Sequence, residues 1–194
     1  MAKLIGKNRI KTAVFISGNG SNLKSLIFFS KKKESPIQIS LVISNNKRAR
    51  GLNYAKKYKI NKFSIIYKNK KNAEFLILKK LKKNNIKLIL LAGFMKILSK
   101  KFIISFKHPI LNIHPSLLPK YKGLNTHERV IKNNEKFTGC TVHMVNKKLD
   151  SGKIILRKKI KIYKKDDAKT LEKRVLKQEH KLYPKAIGKF LSNL

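Results

Sequence analysis

Along the first 91 residues, short apolar segments alternate with segments whose apolar residues recur at helical spacing. The apolar segments predict β-strands at residues 12–16, 37–43, 63–67 and 88–91. The segments between them predict helices at residues 22–30, 49–58 and 75–81. Such a succession is typical of βαβ units, whose strands lie parallel in one sheet. The uninterrupted apolar run at 88–91 also indicates a strand covered by helices on both faces.

The pattern changes near residue 110, where β-rich segments replace the alternation. Strands are predicted at residues 110–114, 141–145 and 154–162, and a loop containing Asp150 joins the last two. A final helix is predicted to start near Asp166 and Asp167, because a carboxylate accepts hydrogen bonds from the free N–H groups of a helix start. Pro184 lies within that helix and is expected to kink or interrupt it.

The formal net charge of +39 suggests a nucleic-acid partner at first sight. Only six of the 48 basic residues are Arg, however, and Arg is the side chain best suited to reading bases and gripping phosphates. The lysines are spread along the chain, and the abundant Lys, Asn and Ile all have A/T-rich codons. We therefore interpret most lysines as a solvated surface that draws anionic ligands inward, and expect no nucleic-acid partner.

The single cysteine, Cys140, excludes an intramolecular disulfide and fits a reducing compartment. The longest strongly apolar run covers residues 88–95, far fewer than the roughly 20 needed to cross a bilayer. The apolar stretch near the N-terminus ends at once in a polar turn, unlike a signal peptide. These features predict a cytoplasmic protein with no membrane partner.

A glycine-rich turn follows the first predicted strand and consists of Gly18, Asn19, Gly20, Ser21 and Asn22. Glycines let the backbone turn tightly and approach a ligand, and the N–H groups at a helix start attract an anion. Position 23 is Leu where the dinucleotide fingerprint needs a third glycine, which favours a single phosphate over a pyrophosphate. An ordinary strand-to-helix turn would have a similar sequence, so this motif alone leaves both interpretations open.

Two polar side chains, Asn112 and His114, share one face of the predicted strand at 110–114, because side chains alternate along a strand. Open α/β sheets bind ligands at such strand ends. His can transfer protons near neutral pH, and Asn can donate to a developing oxyanion. Asp150 is one of only nine acidic residues and is a candidate to orient His114 and tune its pKa. The alternatives are hydrogen-bonded core residues for the pair and a simple turn former for Asp150.

Separated stretches of the chain form one larger pattern. They are Ile16-Ser17-Gly18-Asn19-Gly20-Ser21-Asn22-Leu23, Leu91-Ala92-Gly93-Phe94-Met95-Lys96-Ile97-Leu98-Ser99, Leu111-Asn112-Ile113-His114-Pro115-Ser116-Leu117-Leu118-Pro119, Gly139-Cys140-Thr141-Val142-His143, Leu149-Asp150-Ser151-Gly152, Gln178-Glu179-His180 and Tyr183-Pro184. In order and spacing they resemble the glycinamide ribonucleotide formyltransferase family, from about Lys11 to the end of the chain. The Asn-x-His-Pro-Ser-Leu-Leu-Pro stretch is specific to folate-dependent formyl transfer. The first turn, with the expected absence of a further C-terminal domain, indicates the glycinamide ribonucleotide branch.

The resemblance implies an α/β, Rossmann-like formyltransferase fold. Its central sheet would be mainly parallel and flanked by helices, with an antiparallel C-terminal portion. Residues 1–11 are expected to form a flexible lead-in, and residues 12–194 a single domain. Within that domain, 12–110 would be the phosphate-binding half and 111–194 the catalytic and folate-binding half. A monomer or weak homodimer is expected.

The resemblance also implies an activity and the residues that carry it. A formyl group would pass from 10-formyltetrahydrofolate, the co-substrate, to the amine of 5-phosphoribosylglycinamide, a step of de novo purine biosynthesis that needs no metal. Asn112, His114 and Asp150 would be catalytic, and His143 would support them. The ribonucleotide would contact Gly18, Asn19, Gly20, Ser21, Asn22, Gln178 and Glu179. Folate would contact Met95, Lys96, Ile97, Leu98, Asn112, Asn146, Lys147, Lys148, Leu149 and Asp150.

Three other functions remain as alternatives. A methionyl-tRNA formyltransferase shares the folate motif but resembles this chain poorly at the glycine-rich turn. A hydrolase that releases formate from the same folate keeps the Asn, His and Asp set, but usually has a regulatory domain before it. A basic RNA-binding protein on the same scaffold would bind with a steep dependence on salt and would not turn over folate. Lys96 stands where the family usually has Arg, and a Lys in place of the forked guanidinium is expected to weaken folate binding.

Overall fold

A computed structural model describes residues 9–193, which form two compact units, one ending at Ile110 and the other beginning at Leu111. The lead-in expected over 1–11 falls largely on residues 1–8, which lie outside the described residues. Ile10 and Lys11 instead begin the first strand, because they pair with Ile37 and Gln38 of the second.

The first unit alternates strands and helices, as the sequence pattern predicts. Its elements are β1 (Ile10–Ile16), α1 (Ser21–Ser30), β2 (Ile37–Ser44), α2 (Leu52–Lys57), β3 (Asn61–Ser64), α3 (Lys70–Lys83), β4 (Leu88–Leu91) and α4 (Lys100–Phe106). The strands are parallel in the order β3-β2-β1-β4. All four residues of β4 are buried, which explains the continuous apolar run in the sequence.

The second unit has antiparallel strands. Its elements are β5 (Ile110–His114), which starts at the boundary, α5 (Thr126–Lys132), β6 (Phe137–Met144), β7 (Ile154–Lys161) and α6 (Ala168–Leu191). The strand order is β5-β6-β7, with antiparallel pairing throughout. The predicted α/β class, with parallel strands followed by an antiparallel C-terminal portion, is confirmed.

Helix α6 begins where the sequence predicts, with Asp167 as its N-cap in a reciprocal capping box with Thr170. Tyr183 is fully buried on this helix, and its hydroxyl donates to the backbone oxygen of Leu111 at 3.0 Å. Of the two effects expected of Pro184, interruption of the helix is wrong, because α6 continues to Leu191, and a kink stays a prediction. Proline removes one backbone hydrogen bond, and the buried Ala186 and Ile187 that follow keep the next turn packed.

Two short helices, α4 and α5, were not predicted, because each has only seven residues, too few to show a helical repeat clearly. Ser99 caps α4 by accepting a hydrogen bond from the backbone N–H of Phe102, whose side chain is buried. No helix within residues 9–193 is long and apolar enough to cross a membrane.

Candidate active site

Strand β5 brings Asn112 and His114 to one face, as their spacing predicts, and its neighbour β6 adds a third polar side chain. In the antiparallel register Asn112 lies opposite His143, and His114 lies opposite Thr141. Asp150 comes from the loop between β6 and β7, where its backbone adopts a left-handed conformation with φ of 44°. Three separate segments of the second unit therefore place four polar side chains together.

The four side chains form one connected cluster centred on Asp150. One carboxylate oxygen, Oδ2, lies 3.5 Å from Nδ1 of His114. The other, Oδ1, lies 3.6 Å from Nε2 of His143 and 3.5 Å from Nδ2 of Asn112. Asn112 Nδ2 also lies 3.2 Å from Nε2 of His143. The structure thus brings together the three residues predicted to be catalytic and the one predicted to support them.

His114 is held with an acceptor at each ring nitrogen. Its Nε2 donates to the backbone oxygen of Tyr121 at 2.8 Å, which places a proton on that nitrogen. Its Nδ1 faces the Asp150 carboxylate, so a second proton there would be attracted. Burial lowers the pKa of His114 below its ordinary value, while the Tyr121 carbonyl and the Asp150 carboxylate oppose that effect. The charged ring is therefore costly to bury but well surrounded by acceptors.

Asp150 stays ionised at neutral pH. Burial alone would raise its pKa, but His143, the backbone N–H of Gly123 and the charge of His114 outweigh burial, so the pKa lies below its ordinary value. The Gly123 N–H donates to Oδ2 at 2.9 Å. A buried carboxylate held by several donors provides a fixed negative charge beside the imidazole of His114.

His143 has one determined proton position. Its Nδ1 lies 2.8 Å from the backbone oxygen of Met144, and a carbonyl only accepts, so Nδ1 carries a proton. In the neutral ring Nε2 is then an acceptor for the Asn112 amide, whereas in the doubly protonated ring it donates to Asp150, and that second form is the one that lowers the Asp150 pKa. The contact with Asn112 turns the Asn112 amide nitrogen towards Asp150, which fits a supporting role for His143.

The glycine-rich turn of the first unit is built from main chain. Gly20 is the N-cap of α1 with φ of 71°, and no side-chain hydrogen bond caps this helix among the described residues. A Cβ atom on Gly20 would lie 2.6 Å from the Cα of Gly51. The N–H of Gly51 donates to the backbone oxygen of Gly18 at 3.0 Å and closes the turn. Gly18 and Asn19 are exposed, Ser21 is half-buried, and Asn22 is buried.

The two segments predicted to contact folate are both at the surface. Met95 and Ile97 expose 60% and 62% of their surface, Lys96 is also exposed, and Leu98 is buried. In the second unit, Lys147 and Lys148 are exposed, and Leu149 is 49% exposed. Asn146 shapes this loop by accepting from the N–H of Lys148 and donating to the backbone oxygen of Ser151.

Gln178 and Glu179 lie on α6, where Gln178 is half-buried and Glu179 is 6% exposed. Glu179 is close enough to Cys140 to influence it: burial first, and then the Glu179 carboxylate, raise the pKa of the Cys140 thiol to about 12. The predicted contact of Glu179 with substrate stays a prediction.

Sequence reasoning missed the main-chain groups that hold the cluster. The Tyr121 carbonyl and the Gly123 N–H belong to the loop after β5, and backbone groups leave no signature in residue types. It also missed Ser17, whose hydroxyl accepts from the N–H of Met95. Within residues 9–193, no group of three or more His, Cys, Asp or Glu side chains is arranged to hold a metal ion.

The profile of the family described as formyl transferase matches residues 10–187. The match extends over both units and includes the whole polar cluster, so this chain belongs to the formyl transferase family. The resemblance inferred from the motifs is thereby confirmed.

Several members of the family are similar over most of this chain. Phosphoribosylglycinamide formyltransferase of Haemophilus influenzae is 43% identical over 183 residues, which cover 93% of this chain and 86% of that protein. The human trifunctional purine biosynthetic protein adenosine-3 is 41% identical over 184 residues. That match covers 93% of this chain but only 18% of the human protein.

Solved structures of the same kind confirm the fold. Phosphoribosylglycinamide formyltransferase from Brucella melitensis superimposes with a TM-score of 0.89 at 40% identity, covering 94% of this chain and 96% of that chain. The enzyme of the same name from Bacillus halodurans gives a TM-score of 0.90 at 32% identity, covering 94% and 95%.

Proposed function

We propose that this chain transfers the formyl group of 10-formyltetrahydrofolate to the amine of 5-phosphoribosylglycinamide, a step of de novo purine biosynthesis. The observation that carries the proposal is the buried cluster of Asn112, His114 and Asp150, in a chain 43% identical to a phosphoribosylglycinamide formyltransferase over nearly its whole length. The proposed partners are small molecules, the proposed location is the cytoplasm, and the proposed assembly is a monomer or weak homodimer.

His114 is the central group of the proposed chemistry. When bound, the folate carrier supplies a formyl carbon that the substrate amine attacks, and negative charge develops on the formyl oxygen. A protonated His114 donates to that oxygen from Nε2, in place of its bond to the Tyr121 carbonyl, because Nδ1 faces Asp150. Losing one such donor typically costs about 3–4 kcal/mol of transition-state stabilisation. Asp150 keeps the imidazolium available because its carboxylate lies 3.5 Å from Nδ1.

Asn112 is proposed as a second donor to the same oxygen. Its amide nitrogen contacts His143 at 3.2 Å and Asp150 at 3.5 Å, so both of its N–H bonds have acceptors. The contact with Asp150 is at the outer limit of a hydrogen bond and is the weaker of the two. Donation to the formyl oxygen would replace that contact, while His143 continues to orient the amide.

Asp150 and His114 together provide a path for the proton that the amine must lose. Asp150 is ionised, and its Oδ2 faces Nδ1 of His114, so this pair can accept the proton that the amine loses. The same pair returns a proton to the folate nitrogen when the bond between that nitrogen and the formyl carbon breaks, which releases tetrahydrofolate and leaves the formyl group on the substrate amine. Hydrogen-bond donors and a proton acceptor are sufficient for formyl transfer, so the proposed reaction includes no metal.

The surface of the first unit suits the other parts of the substrates. The main-chain N–H groups at the start of α1 and the positive φ of Gly20 fit a phosphate group. Met95 and Ile97 are exposed apolar residues in a lysine-rich chain, and such a surface fits the planar ring of a folate, with the backbone between them available for its polar edge. Gln178, Glu179 and the 146–150 loop complete the proposed set of substrate contacts.

A direct assay tests the proposal. Purified protein is mixed with 10-formyl-5,8-dideazafolate, and deformylation is followed by absorbance with and without glycinamide ribonucleotide. We expect turnover only when the ribonucleotide is present. Turnover without ribonucleotide would instead identify the formate-releasing hydrolase, and no turnover with either mixture would contradict the proposal.

A further inference from the structure

Ser17 lies at the point where β1 ends and the glycine-rich turn begins, and its polar groups bond to the segments that follow β2 and β4. Its N–H donates to the backbone oxygen of Gly93 at 3.0 Å. Its backbone oxygen accepts from the side chain of Asn46 at 3.4 Å. Its hydroxyl donates to the side-chain oxygen of Asn45 and accepts the N–H of Met95 at 2.7 Å. One residue thus connects the ends of three neighbouring strands.

The Met95–Leu98 segment depends on such bonds because it buries little apolar surface. Met95 and Ile97 are more than half exposed, so packing contributes little to holding this part of the chain. At its near end the segment is fixed by the Ser17 hydroxyl. At its far end Ser99 donates its N–H to the Glu74 carboxylate at 2.8 Å, and the Ser99 hydroxyl donates to the same carboxylate.

Ser17 also sets the start of the glycine-rich turn. Its neighbour Gly18 is the residue whose backbone oxygen accepts the N–H of Gly51. A displacement of Ser17 would therefore move both the main chain of the turn and the N–H of Met95. The segments proposed to hold the phosphate and the folate are thus linked through Ser17, by its N–H bond to Gly93 and by its hydroxyl bond to Met95, and the hydroxyl is the side-chain part of that link.

We propose that Ser17 is a positioning residue that couples the two substrate segments, so that a ligand on the turn raises the affinity of the Met95–Leu98 segment for folate. The inference rests on the proposed function, because it takes both segments as binding sites. Its consequence is reciprocal: each ligand must strengthen the binding of the other by the same factor. Typical couplings of this kind change affinity by about 5- to 150-fold.

A binding experiment without turnover tests the coupling. The affinity for 5,8-dideazafolate, which has no formyl group to transfer, is measured by calorimetry with and without saturating glycinamide ribonucleotide. We expect the ribonucleotide to tighten binding at least fivefold in the wild type. The affinity ratio is the affinity for 5,8-dideazafolate with ribonucleotide divided by the affinity without it. In Ser17→Ala we expect this ratio to be close to one. In Ser17→Thr, which keeps the hydroxyl, we expect a ratio close to that of the wild type.

Ser40→Ala is the matched control, because the Ser40 hydroxyl bonds locally, to the backbone oxygen of Gln38 within β2, and Ser40 belongs to neither proposed binding segment. It should leave the ratio unchanged. Amide hydrogen exchange gives an independent readout: the Met95 amide should exchange faster in Ser17→Ala and at the wild-type rate in Ser40→Ala. If Ser17→Ala fails to fold, Asn45→Ala removes the acceptor of the Ser17 hydroxyl and should also lower the ratio.

The outcomes separate the inference from the proposed function. A wild-type protein that binds both ligands, with a Ser17→Ala variant that keeps the wild-type ratio, would overturn the coupling role and leave the proposed function standing. A wild-type ratio of one would overturn the coupling as well. A wild-type protein that binds neither ligand would overturn both.

Discussion

The glycine-rich turn and the polar cluster around Asp150 are built on opposite principles. The turn uses main chain: Gly20 has a positive φ, Gly51 approaches it closely, and the groups offered to a ligand are backbone N–H groups. The cluster uses side chains: His114 and His143 are 5% and 2% exposed, and a buried carboxylate connects them. A site made of backbone is damaged by adding atoms, whereas a site made of side chains is damaged by removing them.

The difference also explains why the two regions suit different tasks. Backbone N–H groups at a helix start carry fixed partial charges and no titratable proton, so they can hold a phosphate at any moderate pH. The cluster contains titratable groups, and burial and neighbouring charges shift their pKa values. Proton transfer requires such groups.

The largest expected effect comes from removing a side chain of the cluster. We predict that His114→Ala lowers kcat/KM by about 10²- to 10³-fold, because the formyl oxygen loses a donor. The Kd of 5,8-dideazafolate should change far less. His108→Ala is the control, since His108 lies in the first unit and its ring meets Phe106 edge to face. Equal losses in rate and in folate affinity would remove His114 from its catalytic role.

The corresponding test of the glycine-rich turn adds one carbon atom to it. Gly20→Ala places a methyl group 2.6 Å from the Gly51 Cα at a left-handed backbone position, which costs about 1–2 kcal/mol before any clash. We predict a raised KM for the ribonucleotide, a smaller change in kcat, and a lower free energy of unfolding.

Gly18→Ala is the control for that change, because a Cβ there meets nothing within 4 Å among the described residues. Steady-state kinetics and chemical unfolding of both variants compare the two positions. If Gly18→Ala and Gly20→Ala behaved alike, the close approach of Gly51 would not be what shapes the turn.

The smallest expected effect is the shift that the charge of Asp150 causes in the pKa of His114. The Asp150 carboxylate opposes the lowering of the His114 pKa by burial, so Asp150→Asn should lower that pKa further. NMR titration of the His114 ring measures the change directly. Loss of the protonated donor should then move the alkaline limb of the rate profile to lower pH. A raised or unchanged pKa would show that Asp150 does not stabilise the imidazolium.

The sequence predicted the parts of this molecule that depend on residue type. Apolar segments predicted the strands of the first unit, although β3 covers Asn61–Ser64 and not 63–67. The two-residue spacing of Asn112 and His114 correctly placed them on one face of β5. It did not reveal the Tyr121 carbonyl or the Gly123 N–H, because any residue carries those groups and only the path of the loop brings them to the cluster. Pro184 misled because tertiary packing of α6 outweighs the local preference of one residue.

The most direct test of the proposed function identifies the molecule that receives the formyl group. Wild-type protein is incubated with 10-formyl-5,8-dideazafolate and glycinamide ribonucleotide, and both the formylated ribonucleotide and free formate are quantified by mass spectrometry, alongside His114→Ala. We expect formylated ribonucleotide in step with folate deformylation, little formate, and a loss of product in His114→Ala. Formate in place of formylated ribonucleotide, or full product formation by His114→Ala, would contradict the proposed function.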